Sequence, residues 1–82
     1  MKFYNIGFGN SVNGDKVTAI ITPDAMPTKR LIQEAKENKN LIDATSGRKT
    51  RAVLILEDGK IILSGIQAET LIARFNCDAV GE

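Results

Sequence analysis

The residues best suited to chemistry in this sequence are cations. Thr45-Ser46-Gly47-Arg48-Lys49-Thr50-Arg51 packs three positive charges into four residues, beside hydroxyls and a glycine. Arginine presents a planar fork of N–H donors that matches a phosphate, and lysine presents a compact point charge. Small hydroxyl side chains and a glycine N–H add hydrogen bonds to phosphate oxygens. A solvated basic turn has the same composition, and the residues alone leave both readings open. From Lys29 to Arg51 there are seven cations against three anions, whereas the rest of the chain has four cations against seven anions. With a net charge of only +1, the distribution and not the total gives one region a positive potential.

Covalent chemistry is poorly provided for. The sequence has no histidine, so no Ser-His or Cys-His pair can form. Its one cysteine, Cys77, can make no internal disulfide and cannot hold a structural zinc. Glu57 and Asp58 precede Gly59 at a turn, where Asp-Gly is expected for backbone reasons, and Asp43 can cap or pair with the neighbouring arginines. Gly7-Phe8-Gly9-Asn10-Ser11-Val12 starts like a dinucleotide fingerprint but lacks the third glycine. Gly47-Arg48-Lys49-Thr50 resembles the end of a phosphate loop, yet Arg48 interrupts the Gly-Lys pair and a strand follows. The expectation is a protein that is no enzyme and uses no cofactor, metal or small-molecule substrate. The aromatics are few (Phe3, Tyr4, Phe8, Phe75) and none stands in the basic stretch, which speaks against RNA binding by base stacking.

Positioning such a basic stretch falls to a small set of elements. Tyr4, Ile6 and Phe8 alternate as on one face of a strand, and Asn13-Gly14 reads as a hairpin turn with positive φ at both positions. The return strand runs Lys16 to Thr22, with Val17, Ala19 and Ile21 on one face and Ile20 on the other, and Pro23 ends it. A helix follows from Asp24, its N-cap, to about Asn38, with the prolines confined to the first turn and a thin apolar stripe of Leu31, Ile32 and Ala35. Leu41-Ile42-Asp43-Ala44 is a short strand. Ala52–Leu56 and Ile61–Leu63 form a hairpin around Asp58-Gly59, apolar on both faces and therefore central. Ala68, Leu71, Ile72 and Phe75 fall at helical spacing. The order β-β-α-β-β-β-α predicts an α+β fold of about five strands and two helices, one domain over residues 1–77 with a frayed tail at 78–82. No apolar run exceeds five residues and no signal-peptide core is present, so a cytoplasmic protein without a membrane partner is expected. A chain of 82 residues has a thin stability margin, and without disulfides or metal self-association is the remaining aid.

Several segments resemble the RemA family of bacterial extracellular-matrix gene regulators. They are Asn5-Ile6-Gly7-Phe8-Gly9-Asn10, then Pro23-Asp24 with Pro27 and Lys29-Arg30-Leu31-Ile32. They continue with Leu41-Ile42-Asp43-Ala44-Thr45 and Gly47 to Val53, and with Ile62-Leu63-Ser64 and Ile66-Gln67 before Glu69-Thr70. The likeness covers residues 5 to about 75. It implies a transcriptional activator of matrix and biofilm genes that binds double-stranded DNA without a helix-turn-helix. It also implies a ring-shaped homo-oligomer whose protomer is related to LytTR-type DNA-binding domains. By the same resemblance the DNA-contacting residues are Lys16, Arg48 and Lys49. Lys16 and Lys49 stand where the family usually has arginine, which keeps the charge but loses the fork, and Ser46 replaces a usual tyrosine. Gly14-Asp15 alters the turn before Lys16. Arg51 is a further candidate contact, Lys29 and Arg30 serve either DNA or subunit contacts, and Pro27 and Leu31 are candidates for oligomerisation. An oligomeric module that binds a protein partner, and a small RNA-binding protein, are the alternative readings.

Overall fold

The computed structural model describes the backbone of residues 2–81 and the side chains of residues 2–76. Two sheets and two helices make up the α+β fold. A two-stranded hairpin pairs β1 (Phe3–Gly7) with β2 (Asn10–Asn13). A four-stranded sheet has the order β3-β5-β6-β4, built from β3 (Val17–Ile21), β4 (Leu41–Asp43), β5 (Ala52–Leu56) and β6 (Ile61–Ser64). Among the described residues only the β4–β6 pair is parallel. Helix α1 (Met26–Glu37) lies between β3 and β4, and α2 (Ala68–Gly81) follows β6. Among the described residues the strands thus number six, against an expectation of about five. Cys77 and the tail expected over residues 78–82 lie outside the described side chains.

The extra strand comes from a turn in an unexpected place. The first hairpin reverses at Phe8 and Gly9, both at positive φ (55° and 82°), and not at Asn13-Gly14. Asn13 instead has φ −73°, its side chain accepts from the Asp15 N–H, and a single 3-10 turn over Gly14–Lys16 leads into the other sheet. Glycine stands at 14 because the Tyr4 ring lies on it. A Cβ there would meet that ring at distances no side chain tolerates. Phe8 consequently leaves the strand face on which alternation put it.

The two-sided strands β5 and β6 are central, as their apolar pattern predicts. Ala52, Leu54 and Ile62 face one layer with Ile6, Val12, Ala68 and Leu71, so the first hairpin and α2 cover this side together. Val53, Ile61 and Leu63 face the other layer with Ala35 of α1. Val53, Leu54 and Leu71 are fully buried within one chain, and each such side chain stabilises the fold by roughly 1.5–3 kcal/mol. The chain itself therefore supplies the cover that these two-sided strands need. A bulge between Val17 and Ala19 changes the parity of β3, placing Val17 with Ile20 on the α2 side and Ile21 on the α1 side. Ile72, expected in the buried stripe of α2, is 42% exposed beside the free edge of β3.

Polar contacts fasten the hairpin to the main sheet, and a hydrogen bond and a ring stack fasten it to α2. The buried Ser64 hydroxyl donates to the Ile6 carbonyl at 2.7 Å and accepts from the Ile66 N–H at 3.1 Å. Arg74 Nη1 donates to the Asn5 carbonyl at 2.8 Å, and the rings of Tyr4 and Phe75 stack at 4.2 Å. Helix α1 begins one residue later than predicted. Its N-cap is Ala25, which offers no side-chain acceptor, so Asp24 stands outside the helix, while Pro27 occupies the first turn, where a missing N–H does no harm.

Candidate nucleic-acid interface

Residues 44–51 connect β4 to β5 and carry the basic cluster. Asp43 pins the entry. Its Oδ1 accepts from the Thr45 hydroxyl at 2.6 Å and from the Thr45 N–H at 2.9 Å. Those two hydrogen bonds, the hydroxyl first, hold the Asp43 carboxyl below its ordinary pKa by favouring the charged form. The chain then reverses through Ser46 and Gly47, both in the left-handed region at φ 54° and 80°. Arg48 N–H donates back to the Thr45 carbonyl at 3.0 Å, and Arg51 N–H donates to the Ser64 carbonyl at 2.8 Å as β5 begins. Arg48, Lys49 and Arg51 are exposed on this fixed connection.

An aromatic ring belongs to the cluster after all. The Arg48 guanidinium carbon lies 5.0 Å from the centre of the Phe8 ring, a cation–π contact. Phe8 sits at the tip of the first hairpin and is 46% exposed. Asn10 holds that tip: its carboxamide donates to the Gly7 and Phe8 carbonyls at 3.0 and 3.3 Å, and to the Ala44 carbonyl at 3.4 Å. The last of these joins the hairpin to the basic connection. Beneath both lies Gly65, where a Cβ would come within 3.0 Å of the Phe8 ring and 3.7 Å of the Arg48 Cβ. The expectation that no aromatic accompanies the basic stretch holds along the chain and fails in space. The one signal for it in the sequence is that Asn5–Asn10 and Gly47–Val53 both belong to the family resemblance.

Lys49 and Arg51 also line a cleft of about 300 Å³ with Thr22 to Asp24, Thr50, and Gln67 to Glu69. Asp24 and Glu69 line it too, so the two cations share that cleft with two carboxylates. Lys16 stands elsewhere. It precedes β3 and lies beside Glu57, at the far end of the β3–β5 pair from Arg51, roughly 20 Å along the strand. Its ammonium pairs with Glu57 Oε1 at 3.0 Å, both side chains being half exposed. The hydrogen bond to Glu57, and then the charge of Glu57, raise the Lys16 pKa. Within one chain the structure thus brings Arg48, Lys49 and Arg51 together and leaves Lys16 apart. Lys29 and Arg30 are exposed on α1, the layer on the opposite side of the sheet from α2. Pro27 is exposed in the first turn of that helix, and Leu31 is 38% exposed.

Among the described residues no three His, Cys, Asp or Glu side chains gather as for a metal ion, and no helix is long and apolar enough to cross a membrane. Comparison with known proteins matches residues 3–75 to the RemA-like family, described as extracellular matrix regulatory protein A-like. Proteins of Bacillus cytotoxicus, Bacillus mycoides (strain KBAB4) and Bacillus cereus (strain B4264) are each 51% identical to this chain over 76 residues. The matched stretch is 93% of this chain and 87% of each relative, and all three carry the name "Putative regulatory protein". A match over nearly the whole fold, including both halves of the Phe8–Arg48 site, makes this chain a member of the RemA-like family.

Proposed function

We propose that this protein is a DNA-binding transcriptional regulator that grips the backbone of duplex DNA through Arg48 and Lys49 of the β4–β5 connection, with Lys16 as a third contact and Arg51 as a further candidate. The observation that carries this reading is an exposed triplet of cations on a loop held by Asp43, Thr45 and Phe8. Preorganised cations suit phosphate because little side-chain freedom is lost on contact. Membership of the RemA-like family and the names of its relatives support the regulatory role, with activation of extracellular-matrix and biofilm genes as the finer proposal.

The working form in this proposal is a ring of identical protomers, each related to LytTR-type DNA-binding domains. Arg48, Lys49 and Lys16 neutralise about three phosphates per protomer, too few for useful affinity from one chain. Several protomers on one duplex raise it through effective concentration. Lys16 contributes at a second point, farther along the duplex or beside the loop of a neighbouring copy. Few groups are set to read base edges, so selectivity comes mainly from how readily the DNA bends.

Titration of a fluorescent duplex across a salt series tests this reading. Each phosphate contact contributes about −0.9 to the slope of log K against log salt, so two engaged protomers give roughly −5. A slope near zero, or no duplex binding at low salt, overturns the DNA reading in favour of a protein partner.

A further inference from the structure

We propose that Phe8 is a positioning residue for Arg48, and that the hairpin tip exists to present its ring; the functional half of this inference rests on the DNA reading above. Phe8 stands at the first position of a two-residue hairpin turn, with φ 55°, followed by Gly9 at 82°. Such turns favour asparagine or glycine at that position, because a bulky side chain at positive φ is strained. Nothing in the turn calls for an aromatic. The ring is 46% exposed, so the core does not call for it either. The ring instead lies against the guanidinium of Arg48, at 5.0 Å.

Three further features hold the pair. Asn10 ties the tip to the Ala44 carbonyl at 3.4 Å, which links the hairpin to the start of the basic connection. Gly65 leaves the space in which the ring and the Arg48 stem both rest, its absent Cβ being 3.0 Å from the ring. Ser46 and Gly47, both at positive φ, turn the chain just before Arg48. A guanidinium lying against a ring loses rotamers before binding, and its N–H edge remains free for a phosphate. Lys49 and Arg51 have no such support from an aromatic ring among the described residues. Arg48 is thereby the oriented contact of the three.

The test separates stability, positioning and DNA binding. Phe8→Asn suits the turn and removes the ring, whereas Phe8→Trp keeps an aromatic face. In the free protein, ¹⁵N relaxation of Arg48 Nε and the ring-current shifts of its side-chain protons report the pairing. Phe8→Asn is expected to mobilise Nε and abolish those shifts while the thermal midpoint stays level or rises, and Phe8→Trp is expected to preserve them. Unchanged Nε dynamics in Phe8→Asn overturn the positioning role, whatever the DNA results. In duplex titrations Phe8→Asn is expected to lower affinity at least about twofold, the fold-change of an exposed cation–π contact, with Phe8→Trp near parental. In an Arg48→Ala background Phe8→Asn is expected to have no further effect. An equal loss with Arg48 absent would assign the ring a direct contact with DNA and overturn the inference. Parental affinity of the single variant would also overturn its functional half. If the parent itself fails to bind duplex while the Nε signature responds to Phe8→Asn, the DNA reading falls and the positioning stands.

Discussion

Arg48 and Lys49 differ in what their replacement removes. Both side chains are exposed, so alanine at either position changes stability by no more than about 0.5 kcal/mol while duplex affinity drops strongly. Arg48→Lys keeps the charge but loses the fork and much of the ring contact, and falls between alanine and the parent. Parental binding by both alanine variants would reduce the loop to a solvated turn. Lys16 behaves differently because Glu57 holds it at 3.0 Å. Glu57→Gln frees the ammonium and removes a carboxylate that repels phosphate, so duplex affinity is expected to rise by about twofold or more. If neither Glu57→Gln nor Lys16→Ala changes affinity, Lys16 lies off the interface. The raised Lys16 pKa means the pair's contribution to stability is complete below the ordinary lysine value of 10.5. It is lost only as pH rises through the higher folded value, so the pair is no switch near neutrality.

Asp43 fixes the entry to the connection between β4 and β5 through its two hydrogen bonds from Thr45. Because the Thr45 hydroxyl and N–H depress its pKa, the stabilisation is present above the unfolded carboxylate value of about 3.9 and disappears as pH falls through the lower folded value. Thr45→Val keeps the shape and removes the stronger donor. The Asp43 titration, followed by carboxyl NMR, is expected to move up towards the ordinary value. The stability gap to the parent should be present at pH 7 and close in acid. An unmoved Asp43 midpoint in Thr45→Val would show that the hydroxyl does not hold the carboxylate. Helix and strand placement was largely legible in the chain: the Asp58-Gly59 hairpin, the two central strands and the start of α2 follow from turn chemistry and apolar runs. The first hairpin was not. Asn13-Gly14 is a strong turn signal and Phe8-Gly9 a weak one, and the choice between them depends on the Tyr4 ring covering Gly14, a contact with no local trace.

At the scale of the molecule, one chain extends 40 Å in its longest direction, little more than the roughly 34 Å of one DNA turn. Longer contact requires more copies. Leu31, on the outer part of α1, is the candidate for a shared side chain. Leu31→Glu is expected to give smaller particles that no longer bind duplex although Lys16, Arg48 and Lys49 are intact. Because α1, α2 and the first hairpin cover the sheet within one chain, those particles should stay folded. Light scattering and DNA titration are expected to fail together. A folded monomer with parental affinity would remove the ring from the mechanism.

Composition and spacing carry the absence of histidine, the clustering of cations, the turn at Asp58-Gly59 and the two-sided apolar strands, because each is a property of neighbouring residues. They are enough to point to a small α+β domain with a basic loop, and the family resemblance reaches the same residues. Tertiary structure settles what depends on distant residues meeting. It parts Lys16 from Arg48 by the length of β5, and it gives Lys16 to Glu57. It joins Phe8 to Arg48, forty positions apart in the chain, because a hairpin tip and a strand connection share the space that Gly65 leaves open. Local propensity has no knowledge of such a meeting, since the contact forms only when two separate sheets pack against one another.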